Sequence, residues 1–293
     1  MKHRIHTAQI QTTTDFTGLI NPAIKNQRGT TKLACNEFRG KFNPDGVNGV
    51  NVYTKSGFYT ALGMTIAECE LDNCRINRLD FCYQFEKLEF DTVYRKIKLL
   101  LYVLAVKFDY TDNIQDTYDD FNVRKKSVKV QDTKDSSWNY QFEFYNKRLQ
   151  KSNSRVKSHL EFRFGNLIDK DIPELEKVDA AAQTLISMLT AVTSDRDNTF
   201  TRTAQELNAN LIYAYKVLHK NVNLRDFVVA HQDSFLVKGQ LTAFIRKVRP
   251  DIHNPAKRAQ QLTESIGLKT YEKSDLAKVV EELIYHLRLY LQG

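Results

Sequence analysis

The stretch "NYQFEFYNKRLQKSNSRVKSHLEFRF", residues 139–164, reads as a strand, a polar turn and a second strand. Tyr140, Phe142 and Phe144 alternate with Gln141, Glu143 and Tyr145, while Leu160, Phe162 and Phe164 alternate with His159, Glu161 and Arg163. A period of two puts each set on its own face of a sheet, so one parity predicts a buried face and the other an ionisable stripe. "RINRLDFCYQFE", residues 75–86, repeats the pattern, with Leu79, Phe81, Tyr83 and Phe85 opposed to Arg78, Asp80, Cys82 and Gln84. Next, "FDTVYRKIKLLLYVLAVK", residues 90–107, spaces Val93, Ile97, Leu100, Leu101 and Leu104 as a helical stripe. It predicts a helix packed on the apolar side of that sheet.

Towards the N-terminus, the first 65 residues are rich in Thr, Asn and Gly, and the runs "HTAQIQT" and "VNVYTK" with the turn formers of "NPDGVNG" predict hairpins. His3 and His6 fall in an end expected to fray and receive no role. Beyond the first helix, "DYTDNIQDTYDD" (109–120) reads as a loop, and "VRKKSVKVQD" returns to strand periodicity. From about residue 172 the period becomes helical. Leu175, Val178, Ala182, Leu185, Leu189 and Val192 form one stripe behind Pro173, which suits a helix's first turn. Further helices are expected at 202–219, 223–232, 236–248, 255–265 and 274–291, the last with Ser274 as N-cap. Strands followed by helices predict an α+β fold: an antiparallel sheet domain with packed helices over residues 1–170 and a helical C-terminal domain over 171–293.

The 293 residues, 42% hydrophobic, are ample for a core, and the composition is that of a folded chain. The longest apolar run, "LLLYVLAV" at 99–106, is too short to span a bilayer, and "MKHRIHTAQIQTTTDF" has no apolar signal region. These features predict a soluble, cytoplasmic protein without a membrane partner. Cys35, Cys69, Cys74 and Cys82 make no C-x-x-C pair, so reduced structural thiols are expected rather than a zinc knuckle. Net charge is +8, and most of it is local: residues 123–170 hold twelve Lys/Arg against five Asp/Glu. Such a bias suits a polyanion, because phosphate contacts supply most non-specific affinity for nucleic acid. A solvated basic surface is the plainer reading. No G-x-x-x-x-G-K-[ST], G-x-G-x-x-G, H-E-x-x-H or G-x-S-x-G occurs, so ATP-driven helicase activity is not expected of this chain.

If the three clear strands are neighbours, Asp80, Glu143, His159 and Glu161 lie together on one open face with Tyr145 beside them. Carboxylates and an imidazole suit Mg²⁺ or Mn²⁺, which prefer oxygen and tolerate histidine. A metal there would polarise a phosphodiester, and a neighbouring tyrosine could attack phosphorus. Lys147, Arg148, Arg155 and Arg163 would hold backbone phosphates and offset developing charge, with Lys125, Lys126 and Lys157 as further DNA contacts. The same alternation also suits cross-strand ion pairs on a solvated sheet face, and a strand-end tyrosine also suits packing.

"RLDFCYQF", "QFEFYNKRLQ" and "RVKSHLEFRF" resemble the strand motifs of rolling-circle replication initiators of plasmids and filamentous phages, over about residues 75–165. The resemblance implies an antiparallel sheet carrying acidic or histidine metal ligands and a tyrosine that nicks single-stranded DNA, leaving a 3′-OH. Asp80 matches the first acidic position, Glu161 the second, and Tyr145 with Lys147 the Y-x-K segment. It further implies origin DNA as partner, a host helicase alongside, and the cytoplasm of a bacterial host. Two departures stand out: Glu161 occupies the second histidine position of His-hydrophobic-His nucleases, and no Gly-Ser segment precedes the Y-x-K motif. The second leaves Tyr140 open as an alternative nucleophile.

A non-catalytic DNA-binding initiator or regulator is the other reading, and a structural protein whose charge is incidental a third. Residues 236–273, with eight Lys/Arg against three Asp/Glu, suit either a helical DNA-reading or oligomerisation unit or a plain basic bundle.

Overall fold

The computed structural model describes residues 2–12, 33–38, 48–54, 75–85, 90–117, 127–133, 138–146, 158–167, 172–173, 176–194, 198–218 and 222–292. Eight strands form one sheet: β1 (Lys2–Thr12), β2 (Leu33–Phe38), β3 (Asn48–Thr54), β4 (Arg75–Phe85), β5 (Ile114–Thr117), β6 (Ser127–Gln131), β7 (Tyr140–Asn146) and β8 (Ser158–Phe164), in the order β2-β3-β1-β4-β8-β7-β6-β5. Every neighbouring pair is antiparallel. Among the described residues seven α-helices accompany it: α1 (Phe90–Lys107), α2 (Glu176–Thr193), α3 (Thr199–Tyr213), α4 (Leu224–Ala230), α5 (Gln240–Val248), α6 (Pro255–Ile266) and α7 (Lys273–Gln292). The chain is thus α+β with a helical C-terminal region. No helix of the described residues is long and apolar enough to cross a membrane.

The three strands read from sequence are adjacent, and their apolar parities coincide. Phe81 faces Phe162 across β4 and β8, and Phe142 faces Phe162 across β7 and β8. Aromatic pairs fill this layer edge-to-face, Phe81 on Phe164 at 5.5 Å and Tyr83 on Phe162 at 5.9 Å between centroids, a geometry favoured by ring quadrupoles. α1 closes the layer, with Phe90 stacked on Phe144 at 5.2 Å and Leu100, Leu101 and Leu104 fully buried. α2 and α7 join the same core through residues such as Leu185, Leu189, Leu283 and Leu287. The Tyr83 hydroxyl donates to the Leu283 carbonyl at 2.9 Å, tying α7 to the sheet.

A second apolar cluster binds α4, α5 and α6 together around Phe227, Phe235, Phe244 and Leu262. Arg95 of α1 reaches it, donating to the carbonyls of Phe235 (2.8 Å) and Lys269 (2.7 Å). Asn254 caps α6 by accepting from the Lys257 N–H, ahead of Pro255 in the first turn.

Three expectations are corrected. Lys2–Thr12 is a strand and not a frayed end: Lys2–Ile5 pair with β4, and Thr7–Gln11 pair with β3 as well as with β4. Within the expected loop 109–120, Ile114–Thr117 pairs with β6 as the last strand of the sheet, because Ile114 packs against the core despite its acidic neighbours. The helix expected over 236–248 starts only at Gln240. Residues 235–237 are extended, Val237 bridges Tyr271, and Gly239 turns the chain at φ 82°, a conformation glycine adopts without steric cost.

Candidate functional site

The polar parities converge as the alternation requires. Across β4 and β8, Asp80 faces Arg163, Cys82 faces Glu161 and Gln84 faces His159. Across β7 and β8, Gln141 faces Arg163, Glu143 faces Glu161 and Tyr145 faces His159. Because directly opposed residues on one face of an antiparallel pair lie within about 4.5–5.5 Å at Cβ, the register alone assembles a compact polar cluster.

This face is not open. Asp80 and Glu161 are 2% exposed, His159 1% and Tyr145 7%. Its charges are satisfied internally instead of by water. Arg78 holds Asp80 through two hydrogen bonds of 2.7 Å and lies over the Trp138 ring at 5.5 Å. Arg163 donates to both Glu161 and Gln141, to Glu143 Oε2 at 2.8 Å, and approaches Asp80 to 4.0 Å. One guanidinium therefore stands among three carboxylates. Burial works against its charge, but Glu161, Glu143 and Asp80 outweigh that and hold its pKa above the usual value. Burial, opposed by Arg78 and Arg163, pushes the Asp80 carboxyl up.

Arg163 holds Oε2 of Glu161, and Tyr145 takes the other oxygen, donating its hydroxyl to Oε1 at 2.7 Å. The same hydroxyl lies 3.5 Å from His159 Nδ1, which is also 3.5 Å from Glu161 Oε1. Burial, then the Glu161 charge, raise the Tyr145 pKa, so the phenol is neutral at rest with Glu161 positioned to accept its proton. Cys82 Sγ approaches the same nitrogen, at 3.2 Å from Nδ1. Ligand atoms of Cys82, His159 and Glu161 all fall within 4.8 Å of one another.

Of the residues singled out by sequence, Asp80, Glu143, Tyr145, His159, Glu161 and Arg163 share this face. His159 and Glu161 meet at one point with Tyr145, whereas Asp80 and Glu143 are joined to that point through Arg163. Tyr140 takes the opposite parity and packs edge-on to Phe164 at 5.5 Å. Lys125, Lys126, Lys147, Arg148, Arg155 and Lys157 lie outside the described residues. Sequence reasoning missed Cys82 as a site member. Its signal was its parity, shared with Asp80 and Gln84, which the β4–β8 register turns into a place opposite Glu161.

An antiparallel sheet with a buried tyrosine, carboxylate, imidazole and thiol on its polar face defines the class of centre present. Among solved structures, the chain is similar to a rolling circle replication initiator protein from Geobacillus stearothermophilus, at 13% identity and a TM-score of 0.31, over 62% of this chain and 84% of that one. That likeness is too slight to carry function across. No protein-family model matches the chain, and no curated protein matches it.

Proposed function

We propose that this protein is a replication initiator that binds DNA and nicks and rejoins a single strand through Tyr145. The observation that carries the reading is the Tyr145 hydroxyl, directed at Glu161 Oε1 at 2.7 Å beside His159 on a rigid two-strand platform. The strand motifs that resemble those of rolling-circle initiators point to the same residues.

In the proposed step, the Tyr145 oxygen attacks a backbone phosphorus while Glu161 takes the phenolic proton. An oxygen–phosphorus bond to Tyr145 forms, the bond to the 3′ oxygen breaks, and that oxygen leaves as a free hydroxyl after taking a proton from water. Reversal by a 3′-OH rejoins the strand. Arg163, held by Glu161, Glu143 and Gln141, would offset negative charge developing at phosphorus from within the site. Lys147, Arg148, Arg155 and Lys157, with Lys125 and Lys126, would hold the flanking backbone. A divalent cation bound here would supply Lewis-acid polarisation of the phosphodiester. His159 and Glu161 would hold it; Asp80 and Glu143, proposed with them for Mg²⁺ or Mn²⁺, fall outside the group of ligand atoms that meet within 4.8 Å.

The test is incubation of the full chain with a random single-stranded oligonucleotide library and Mg²⁺, Mn²⁺ or Zn²⁺. A protein–DNA adduct that resists denaturant and is lost in Tyr145→Phe supports the reading. Tight DNA binding with no adduct under any metal would replace it with the non-catalytic initiator, which the burial of the site favours.

A further inference from the structure

We infer that Cys82, His159 and Glu161 form a site for a thiophilic, borderline divalent cation of the Zn²⁺ class, rather than for Mg²⁺. The inference rests on reading this pocket as a reaction centre, but its test needs no reaction. Three adjacent positions on two strands supply the donors: Cys82 and Glu161 are register partners, and His159 is two residues along β8 on the same face. The ligand atoms all lie within 4.8 Å of one another, the His159–Glu161 spacing matching a tetrahedral site and the Cys82–His159 spacing falling a little short of it. Cys82 Sγ to His159 Nδ1 is 3.2 Å and His159 Nδ1 to Glu161 Oε1 is 3.5 Å. Tetrahedral bonds of ~2.3 Å to sulfur and ~2.0–2.1 Å to nitrogen or oxygen imply ligand separations of roughly 3.3–3.6 Å.

The donor chemistry decides the class of ion. Mg²⁺ demands near-octahedral oxygen and keeps its waters, whereas a thiolate, an imidazole and one carboxylate are a mixed set that Zn²⁺ and Co²⁺ accept. Among the described residues three protein ligands converge here, the number a reactive zinc site uses rather than the four of a closed structural one. Here the Tyr145 hydroxyl lies against two of the three ligands, 2.7 Å from Glu161 and 3.5 Å from His159, so the fourth position adjoins the proposed nucleophile. The site is fully buried, with Cys82 0%, His159 1% and Glu161 2% exposed, which favours an ion that sheds its water readily.

Cobalt(II) titration of the full-length protein, stripped of metal, is the direct probe. The expected result is a near-ultraviolet thiolate-to-cobalt band with intense visible bands of four-coordination, at one ion per chain. Zn²⁺ should abolish both at stoichiometric concentration, and Mg²⁺ should leave them in thousandfold excess. Cys82→Ser should remove the ultraviolet band, and Glu161→Gln should weaken cobalt affinity at least tenfold. If Cys82→Ser does not fold, substituting Cys35, Cys69 and Cys74 together by Ser carries the same test, because the band should persist. Absence of the band in the wild type, its disappearance in that triple variant, or displacement of cobalt by Mg²⁺ would overturn the site. Cobalt bound through Cys82 without any DNA adduct would sustain the site while removing the nicking reaction. An adduct formed with Mg²⁺ in a chain that binds no cobalt would do the reverse.

Discussion

At the scale of residues, Arg163 and Tyr145 divide the work of the polar face. Arg163 neutralises Glu161 and Glu143 and donates to Gln141, so its removal takes a guanidinium from the buried Glu161 and the half-buried Glu143. Breaking a buried pair from one side costs about 3–5 kcal/mol, and Arg163→Met should lower unfolding free energy by that order in a urea titration. Arg163→Lys should recover only part, since a single ammonium cannot reproduce the planar fork. Tyr145→Phe, by contrast, removes one hydroxyl from a carboxylate that keeps Arg163, and should cost only about 1 kcal/mol. The two substitutions are therefore separable by stability: Arg163→Met should damage the fold, and Tyr145→Phe should leave it nearly intact while removing the proposed nucleophile. Cys82 was visible in the sequence only as a parity. Its partner across the sheet depends on strand order, which alternation within a strand does not encode, so a thiol opposite a carboxylate stayed hidden.

Among the elements, β4, β7, β8 and α1 were legible because their periods are long and unbroken. Residues 78–85, 140–144 and 159–164 alternate apolar with polar side chains, and α1 keeps its stripe over 18 residues. Ile114–Thr117 was not legible: four residues are too few to show a period, and it is specified by pairing with β6. The same holds for residues 235–237, whose apolar run reads equally as helix or strand until Gly239 is known to turn the chain. Two measurements probe the packing. Phe162, which meets Tyr83 and Phe142, should cost about 3–5 kcal/mol on Phe162→Ala. Arg95→Met would leave the Phe235 and Lys269 carbonyls without their donor, and should cost about 1–3 kcal/mol, with the effect concentrated in hydrogen-exchange protection of α4 to α6.

For the whole molecule, charge is the property most directly read from composition and most rearranged by folding. Of the basic residues counted between 123 and 170, Arg163 is committed inside the site, while Lys125, Lys126, Lys147, Arg148, Arg155 and Lys157 are the ones proposed to meet a polyanion. Single-stranded DNA binding should weaken with salt. Replacing Lys147, Arg148, Arg155 and Lys157 by Ala should flatten the slope of log affinity against log salt by about 0.7 for each phosphate no longer neutralised. An unchanged slope would assign those side chains to a solvated surface. The central claim is sharper than binding, and is tested by mass spectrometry of the denaturant-resistant protein–DNA adduct after protease and nuclease digestion. The account predicts a phosphonucleotide on the peptide containing Tyr145 and on no other; a modified Tyr140, or no modified tyrosine, would contradict it.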